Sequence, residues 1–209
     1  MAKMTLVIGR SGMGKTASMR NIGEDTAVIN VTNKPLPFKN NPHLKVWSSD
    51  KYLEIRDALR RAYDKGIRMA VIDDAGYIMT NKFMDGHRQA KGNSQFDLYN
   101  EIADTFYNLI KFAADELPND MLIFVFMHED INDMGYSKPK TIGKLLDDKV
   151  CIEGMFTIVL KALKKDKEYL FATNTDGLDV TKSPIGMFED EYISNDLQLV
   201  ADKIREYYK

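Results

Sequence analysis

Three things are scarce in this sequence: cysteine, long apolar runs, and an excess of charge of either sign. Cys151 is the only cysteine, which excludes an intramolecular disulfide and a cysteine-rich zinc site and is typical of a reducing compartment. The longest apolar run, 121–127, is far shorter than the roughly 20 residues of a membrane span. We therefore expect a cytoplasmic protein with no membrane partner.

The charge balance is close to neutral, because 29 lysines and arginines face 31 aspartates and glutamates for a formal net charge of −2. This excludes a histone-like protein held to DNA by bulk charge, but it allows a nucleic-acid binder with a local basic loop. Apolar residues make up 44% of the chain and charged residues 29%, an ordinary globular composition. A length of 209 residues predicts a single domain.

Short apolar runs alternate with longer amphipathic stretches, a pattern that indicates a layered α/β fold. The polar stretches 80–94 and 129–149 are predicted to be loops. The predicted strands are 5–8, 27–31, 44–47, 69–72 and 121–127, followed by a hairpin of 156–163 and 168–173. The predicted helices are 15–22, 51–65, 96–116 and 196–208.

The first predicted strand leads into a turn that fits G-x-x-x-x-G-K-[ST] throughout, and a helical stretch follows it, as this motif requires. Its glycines let backbone N–H groups converge on a polyphosphate, and the following helix adds free N–H groups and the positive end of its dipole. Lys15 is expected to reach the β and γ oxygens of ATP, and Thr16 to ligate Mg²⁺. The residues assigned to nucleotide binding are Gly9, Arg10, Ser11, Gly12, Met13, Gly14, Lys15 and Thr16.

The strand 69–72 ends in paired carboxylates. A carboxylate at such a strand end holds Mg²⁺ beside the γ-phosphoryl, and Asp73 is assigned that role. Asp74 is assigned to the attacking water, as orienting group or base, although an aspartate here also suits a helix N-cap. Asp50 or Glu54 is a second candidate base. His128 follows the strand 121–127, and we assign it as a γ-phosphate sensor if that strand neighbours the acidic one, although a histidine there could equally cap a loop.

The two polar stretches carry basic residues. Lys138, Lys140 and Lys144 lie in the second, with Tyr136 available for base stacking, and Arg88 lies in the first. Lysines and arginines interleaved with an aromatic residue and glycines suit single-stranded DNA. The acidic residues in the second stretch leave open an alternative, a solvated loop without a ligand.

The order of these motifs resembles the compact phage-type RecA-like P-loop ATPases, which include the single-strand-annealing recombinases of bacteriophages. The resemblance covers most of residues 4–188, and its specific part is the motif Gly9–Thr16; the stretch Thr181–Met187 is suggestive. It implies a RecA-like core with a mostly parallel sheet flanked by helices, binding of ATP and Mg²⁺, and DNA-stimulated ATP hydrolysis. Many members have Ser or Thr after the strand-end aspartate, where this chain has Asp74.

The resemblance also implies single-stranded DNA as a partner, self-assembly into rings or filaments, and a host cytoplasm as the location. Lys182 is either a cation that reaches a neighbouring subunit's nucleotide in trans or a surface lysine before a proline-fixed turn. The leading hypothesis is an ATPase of phage-type recombination or annealing. The alternatives are a small nucleotide kinase and a nucleotide-gated adaptor such as a helicase loader.

Overall fold

The computed structural model describes all residues from 1 to 209, which form ten strands and four α-helices. The strands are β1 (Lys3–Ile8), β2 (Thr26–Asn30), β3 (Leu44–Trp47), β4 (Met69–Asp73), β5 (Leu122–Met127), β6 (Glu129–Ile131), β7 (Ser137–Pro139), β8 (Ile158–Lys165), β9 (Glu168–Ala172) and β10 (Tyr192–Ser194). The α-helices are α1 (Tyr52–Asp64), α2 (Gly76–Gly86), α3 (Asn93–Asp115) and α4 (Leu197–Tyr207). None of the helices has the length and apolarity that crossing a bilayer requires.

Eight of the strands form one sheet in the order β10-β9-β8-β1-β5-β4-β2-β3, while β6 and β7 pair separately. Every pair from β3 across to β8 is parallel, whereas β9 and β10 are added antiparallel. The carboxyl ends of the parallel strands therefore lie along one edge of the sheet. This confirms the predicted fold class, a mostly parallel α/β sheet flanked by helices with a late β-hairpin.

Strand β5 lies near the middle of the sheet and is buried on both faces. Ile123 and Val125 pack towards α1, α2 and α3, while Phe124 and Phe126 pack towards α4 on the opposite face. All six residues of β5 are buried. Burial on both faces explains why its sequence is a continuous apolar run rather than an alternating one.

Helix α2 occupies part of the stretch 80–94, so the loop prediction is wrong as far as Gly86. The helix packs against α3, where the ring of Phe83 stacks on that of Tyr99 with 5.8 Å between centroids. Earlier in α2, Ile78 and Met79 are buried in the hydrophobic core that α3 also contributes to. The polar composition of 80–94 reflects the solvent-facing side of α2 and the short connection to α3.

The stretch 129–149 is also more regular than predicted, because it contains the hairpin of β6 and β7 and a helical turn at Leu145–Lys149. The predicted hairpin of β8 and β9 is present, but its turn has two residues rather than four. Both of them, Asp166 and Lys167, have a positive φ, at 50° and 70°, as a two-residue turn of this kind requires. Strand β10 was missed because three residues carry too little pattern to predict a strand.

The core of α3 gives a stability test with a matched control on the same helix. Phe106 is fully buried, whereas Phe96 is 72% exposed. We expect Phe106→Ala to lower the free energy of unfolding by about 3–5 kcal/mol, because it leaves a cavity under the sheet. Phe96→Ala should change it by less than about 0.5 kcal/mol. Urea denaturation followed by circular dichroism measures both, and equal losses would contradict the assigned packing.

Candidate functional site

The turn Gly9–Thr16 leaves the carboxyl end of β1 in a tightly curled path that its glycines permit. A Cβ atom at Gly9 would lie 2.6 Å from the carbonyl oxygen of Ala162 on β8. Gly14 has a φ of +90°, and a Cβ atom there would lie 3.1 Å from Oδ1 of Asn195. Both positions therefore exclude a side chain, and the backbone can approach a ligand closely.

The helix predicted after the turn is a short 3-10 helix, Thr16–Asn21, and not a full α-helix. Six residues give a weaker dipole than the prediction assumed, because the macrodipole is a sum over aligned peptide units. The capacity of this site for an anion therefore depends mainly on the curled backbone of the turn and on Lys15.

Lys15 folds back over the turn. Its Nζ donates hydrogen bonds to the carbonyl oxygens of Gly9 at 2.6 Å and of Arg10 at 3.0 Å, and the residue is only 5% exposed. Burial lowers the pKa of Lys15 from its ordinary value, although the carboxylates of Asp74 and Asp73 act in the opposite direction. The ammonium group thus lies at the centre of the turn, where phosphate oxygens would replace the carbonyl partners.

Thr16 and Asp73 meet at the floor of the site. The Thr16 hydroxyl donates to both carboxylate oxygens of Asp73, at 2.9 and 3.0 Å. Burial, and secondly the neighbouring Asp74 charge, raise the pKa of Asp73 to about 6. A hydroxyl and a carboxylate side by side fit Mg²⁺, which takes hard oxygen ligands and completes its shell with waters and substrate phosphates.

Asp74 and His128 lie together beside Asp73, as predicted. Asp74 has a φ of 59°, and the next amide, of Ala75, donates to the Phe126 carbonyl at 2.8 Å, so the chain turns onto the end of β5. His128 Nε2 lies 3.6 Å from Oδ1 of Asp74. Burial, and secondly the charge of Lys15, lower the pKa of His128, which favours the neutral imidazole. Strand β5, which precedes His128, neighbours the acidic strand β4. The strand arrangement on which the predicted sensor role of His128 depends is therefore present.

Lys34 is a charged residue of the site that sequence reasoning missed. It follows β2 and forms an ion pair with the buried carboxylate of Asp74. Only the strand order could have revealed it, because β2 lies directly beside β4 in the sheet. No local motif marks this lysine among the prolines that follow it.

A cleft of about 1090 Å³ joins these residues to a wall formed late in the chain. The wall consists of the tip of the β8–β9 hairpin and the end of β10, including Tyr169 and Asn195. Both polar atoms of the buried Asn195 side chain lack a hydrogen-bond partner, and the ring of Tyr169 is 46% exposed. The exposed ring of Tyr169 offers a surface on which a nucleobase can stack, whereas the Asn195 amide is buried behind the cleft wall; neither residue was predicted.

Several predicted residues lie outside the cleft. The side chain of Arg10 turns towards Glu129 at 3.8 Å, and Met13 packs into the core beside α4. Lys182 pairs through its backbone with Val159 on β8 and does not line the cleft. The alternative bases lie elsewhere too: Asp50 accepts a hydrogen bond from Asn81, and Glu54 accepts one from Ser49. Of the nucleotide-binding set, the cleft is lined by Ser11, Gly12, Gly14, Lys15 and Thr16.

Part of the second polar stretch lies against α3. Gly143 packs so closely on Tyr99 of α3 that a Cβ atom on it would lie 3.1 Å from the ring. Lys138 lies 3.6 Å from Asp147, whereas Lys140 lines a second cleft that also contains His128. The Lys140 amide donates to the His128 carbonyl at 2.8 Å, so this surface adjoins the phosphate end of the site.

Comparisons with known proteins add little to this geometry. No protein-family model matches the chain, and no curated protein matches it in sequence. Among solved structures, a KaiC-like protein from the hyperthermophilic archaeon Pyrococcus horikoshii is similar, with a TM-score of 0.44 and 11% identity over 81% of this chain and 76% of that chain. A likeness this slight assigns no activity, so the residues of the cleft carry the functional conclusion.

The raised pKa of Asp73 predicts how Mg²⁺-nucleotide affinity depends on pH. Mg²⁺ binds the ionised carboxylate, so protons compete with the metal below the pKa. With a pKa of about 6 in the empty site, affinity should be about tenfold lower at pH 5 than at pH 7. Calorimetric titrations between pH 5 and 8 measure this. Asp73→Asn is the control, because it retains the titration of the nucleotide and of His128 but loses that of Asp73, and equal pH profiles would contradict the prediction.

Proposed function

We propose that this chain is a Mg²⁺-dependent ATPase. The observation that carries the proposal is the contact of the Thr16 hydroxyl with the buried Asp73 carboxylate, directly beside the turn that holds Lys15. Lys15 and Thr16 thus line one end of a single cleft, and the buried Asp73 lies directly behind the Thr16 hydroxyl. Phosphoryl transfer from a nucleoside triphosphate requires this combination.

Each residue has a role that follows from its position. The backbone N–H groups of the turn and the Lys15 ammonium would bind the phosphates, while Thr16 and Asp73 would hold Mg²⁺, which would neutralise charge on the γ-phosphoryl. Asp74 accepts a proton from the attacking water or orients it. The imidazole of His128 would contact the γ-phosphate. Its backbone hydrogen bond with Lys140 couples this contact to the segment that contains Lys140.

The cleft favours hydrolysis over transfer to a second nucleotide. A nucleotide kinase needs arginines that converge on the transferred phosphoryl. Arg20 is the only arginine that lines the cleft, and it donates to the Asn195 carbonyl at 2.7 Å. We therefore prefer an ATPase to a small nucleotide kinase.

We further propose that single-stranded DNA binds the surface of Arg88, Lys138, Lys140 and Lys144, in phage-type recombination or annealing. The exposure of Lys140 and Tyr136 supports this, as does the hydrogen bond between the Lys140 and His128 backbones, which links DNA to the phosphate end. Assembly into a ring or filament would repeat this surface, with Lys182 of one subunit reaching the nucleotide of the next. A nucleotide-gated adaptor such as a helicase loader is the alternative, and slow turnover without DNA stimulation would favour it.

Substitution of Lys15 tests the ATPase itself. We expect Lys15→Ala to lower ATP affinity at least about tenfold and to abolish turnover, because a charge-assisted contact to phosphate is lost. The control is Lys39→Ala, which removes an exposed lysine outside the cleft. Calorimetry and phosphate release measure the two effects. Unchanged binding and turnover in a folded Lys15→Ala protein would overturn the proposal.

Substitution of Lys138 and Lys140 tests the DNA surface. Each lost phosphate contact lowers the slope of log affinity against log salt by about 0.7 for single strands, so the double alanine variant should lose about 1.4. Fluorescence anisotropy with a labelled oligonucleotide at several salt concentrations measures affinity and slope. Lys65→Ala with Lys203→Ala is the matched control, since both lysines are exposed and lie outside 80–149. The same loss in the control would refute the assignment.

A further inference from the structure

Lys34 is fixed at the phosphate end of the cleft by the sheet rather than by the turn. Strand register pairs Asn30 of β2 with Asp73 of β4. The Asn30 side chain then donates to the carbonyl oxygen of Lys34 at 2.7 Å. This anchors the backbone of Lys34 beside the acidic strand end, while its long side chain remains free to change direction.

The Lys34 ammonium is engaged by Asp74. Its Nζ donates to Oδ2 of Asp74, whose side chain is only 3% exposed. His128 faces the other carboxylate oxygen at 3.6 Å. Asp74 is therefore held by a cation on one side and an imidazole on the other, which leaves little of its carboxylate for an attacking water.

Lys34 also faces the space that a triphosphate would fill. Its side chain is 49% exposed, and it lines the same cleft as Lys15 and His128. Burial is the main cause of the lowered pKa of Lys15, and the positive charge of Lys34 lowers that pKa further, so the two ammonium groups repel each other across the cleft. Phosphate oxygens between them would turn this repulsion into attraction to a shared anion.

Resting on the proposed ATPase function, we propose that Lys34 is a second phosphate-binding cation that pairs with Asp74 and moves to the γ-phosphate when ATP binds. This exchange frees the Asp74 carboxylate. In the hydrolysis step, the water oxygen bonds to the γ-phosphorus, and the bond from that phosphorus to the bridging oxygen of the diphosphate breaks. The water proton passes to Asp74, and the released electron pair stays on ADP.

ATP and ADP should differ in their effect on Lys34. A diphosphate has no γ-phosphate to draw Lys34 away, so the ion pair with Asp74 persists and the base stays occupied. Lys34 should therefore contribute to triphosphate affinity and little to diphosphate affinity. A lysine that served only as a structural counter-ion would affect both nucleotides alike.

The test measures affinities for ADP and a non-hydrolysable ATP analogue by calorimetry in Lys34→Ala and Asp74→Asn. For Lys34→Ala, we expect triphosphate affinity to fall about ten- to a hundredfold, the range of a charge-assisted hydrogen bond, with ADP affinity within about twofold. Asp74→Asn, which releases Lys34, should bind the analogue at least as tightly as the parent protein and lose turnover. Lys39 lies in the same β2–β3 connection as Lys34, and Lys39→Ala should change neither affinity.

The outcomes distinguish this proposal from the proposed function. If the parent protein binds both nucleotides and Lys34→Ala weakens both equally, or neither, the role of Lys34 is overturned while the ATPase stands. If the parent protein binds no nucleotide, both the role of Lys34 and the proposed ATPase function are overturned. Melting temperatures separate folding from binding: the double variant Lys34→Ala/Asp74→Asn removes the unpaired buried charge and should melt higher than Lys34→Ala. It should still lack the triphosphate preference, and a regained preference would refute the proposal.

Discussion

The hydrogen bond from the Thr16 hydroxyl to the Asp73 carboxylate spans the end of a strand. Strand β5 lies between β1, which leads into the turn, and β4, which ends in Asp73, so the two residues meet only above its carboxyl end. His128 comes directly after β5 and is thereby brought to the same place. The central position of β5 thus sets the spacing between the turn, the Thr16–Asp73 pair and His128, and its burial on both faces keeps that spacing rigid.

Sequence alone predicts those parts of the site that are encoded locally. The turn is a contiguous motif with its own backbone requirements, and Asp73 follows a strand whose apolar run is unmistakable. Lys34 and Asn195 could not be found in this way, because each enters the site through the neighbour of its strand in the sheet. The prediction of a loop over 80–94 was wrong for a related reason. The polar residues on the outer face of α2 do not indicate a helix, and its inner face is stabilised by packing against α3.

The electrostatics of the site also follow from burial. Asp73 and Asp74 are almost fully removed from water, and two adjacent carboxylates in such a place repel each other unless cations are close. Lys15 and Lys34 supply these cations in the empty protein. A chain with a net charge of only −2 can therefore concentrate charges where a highly charged ligand binds, because field strength depends on local arrangement and not on the sum.

The contact between Gly14 and Asn195 links the start of the chain to a segment formed much later. The short helix after the turn is tied to the same segment, because Asn21 donates to Asp196 at 2.8 Å and the Gly23 amide donates to Gln198 at 3.0 Å. The turn thus has its native surroundings only once β10 and α4 have docked. During synthesis on the ribosome, the turn emerges early, but it acquires these contacts only after the residues of β10 and α4 have been added.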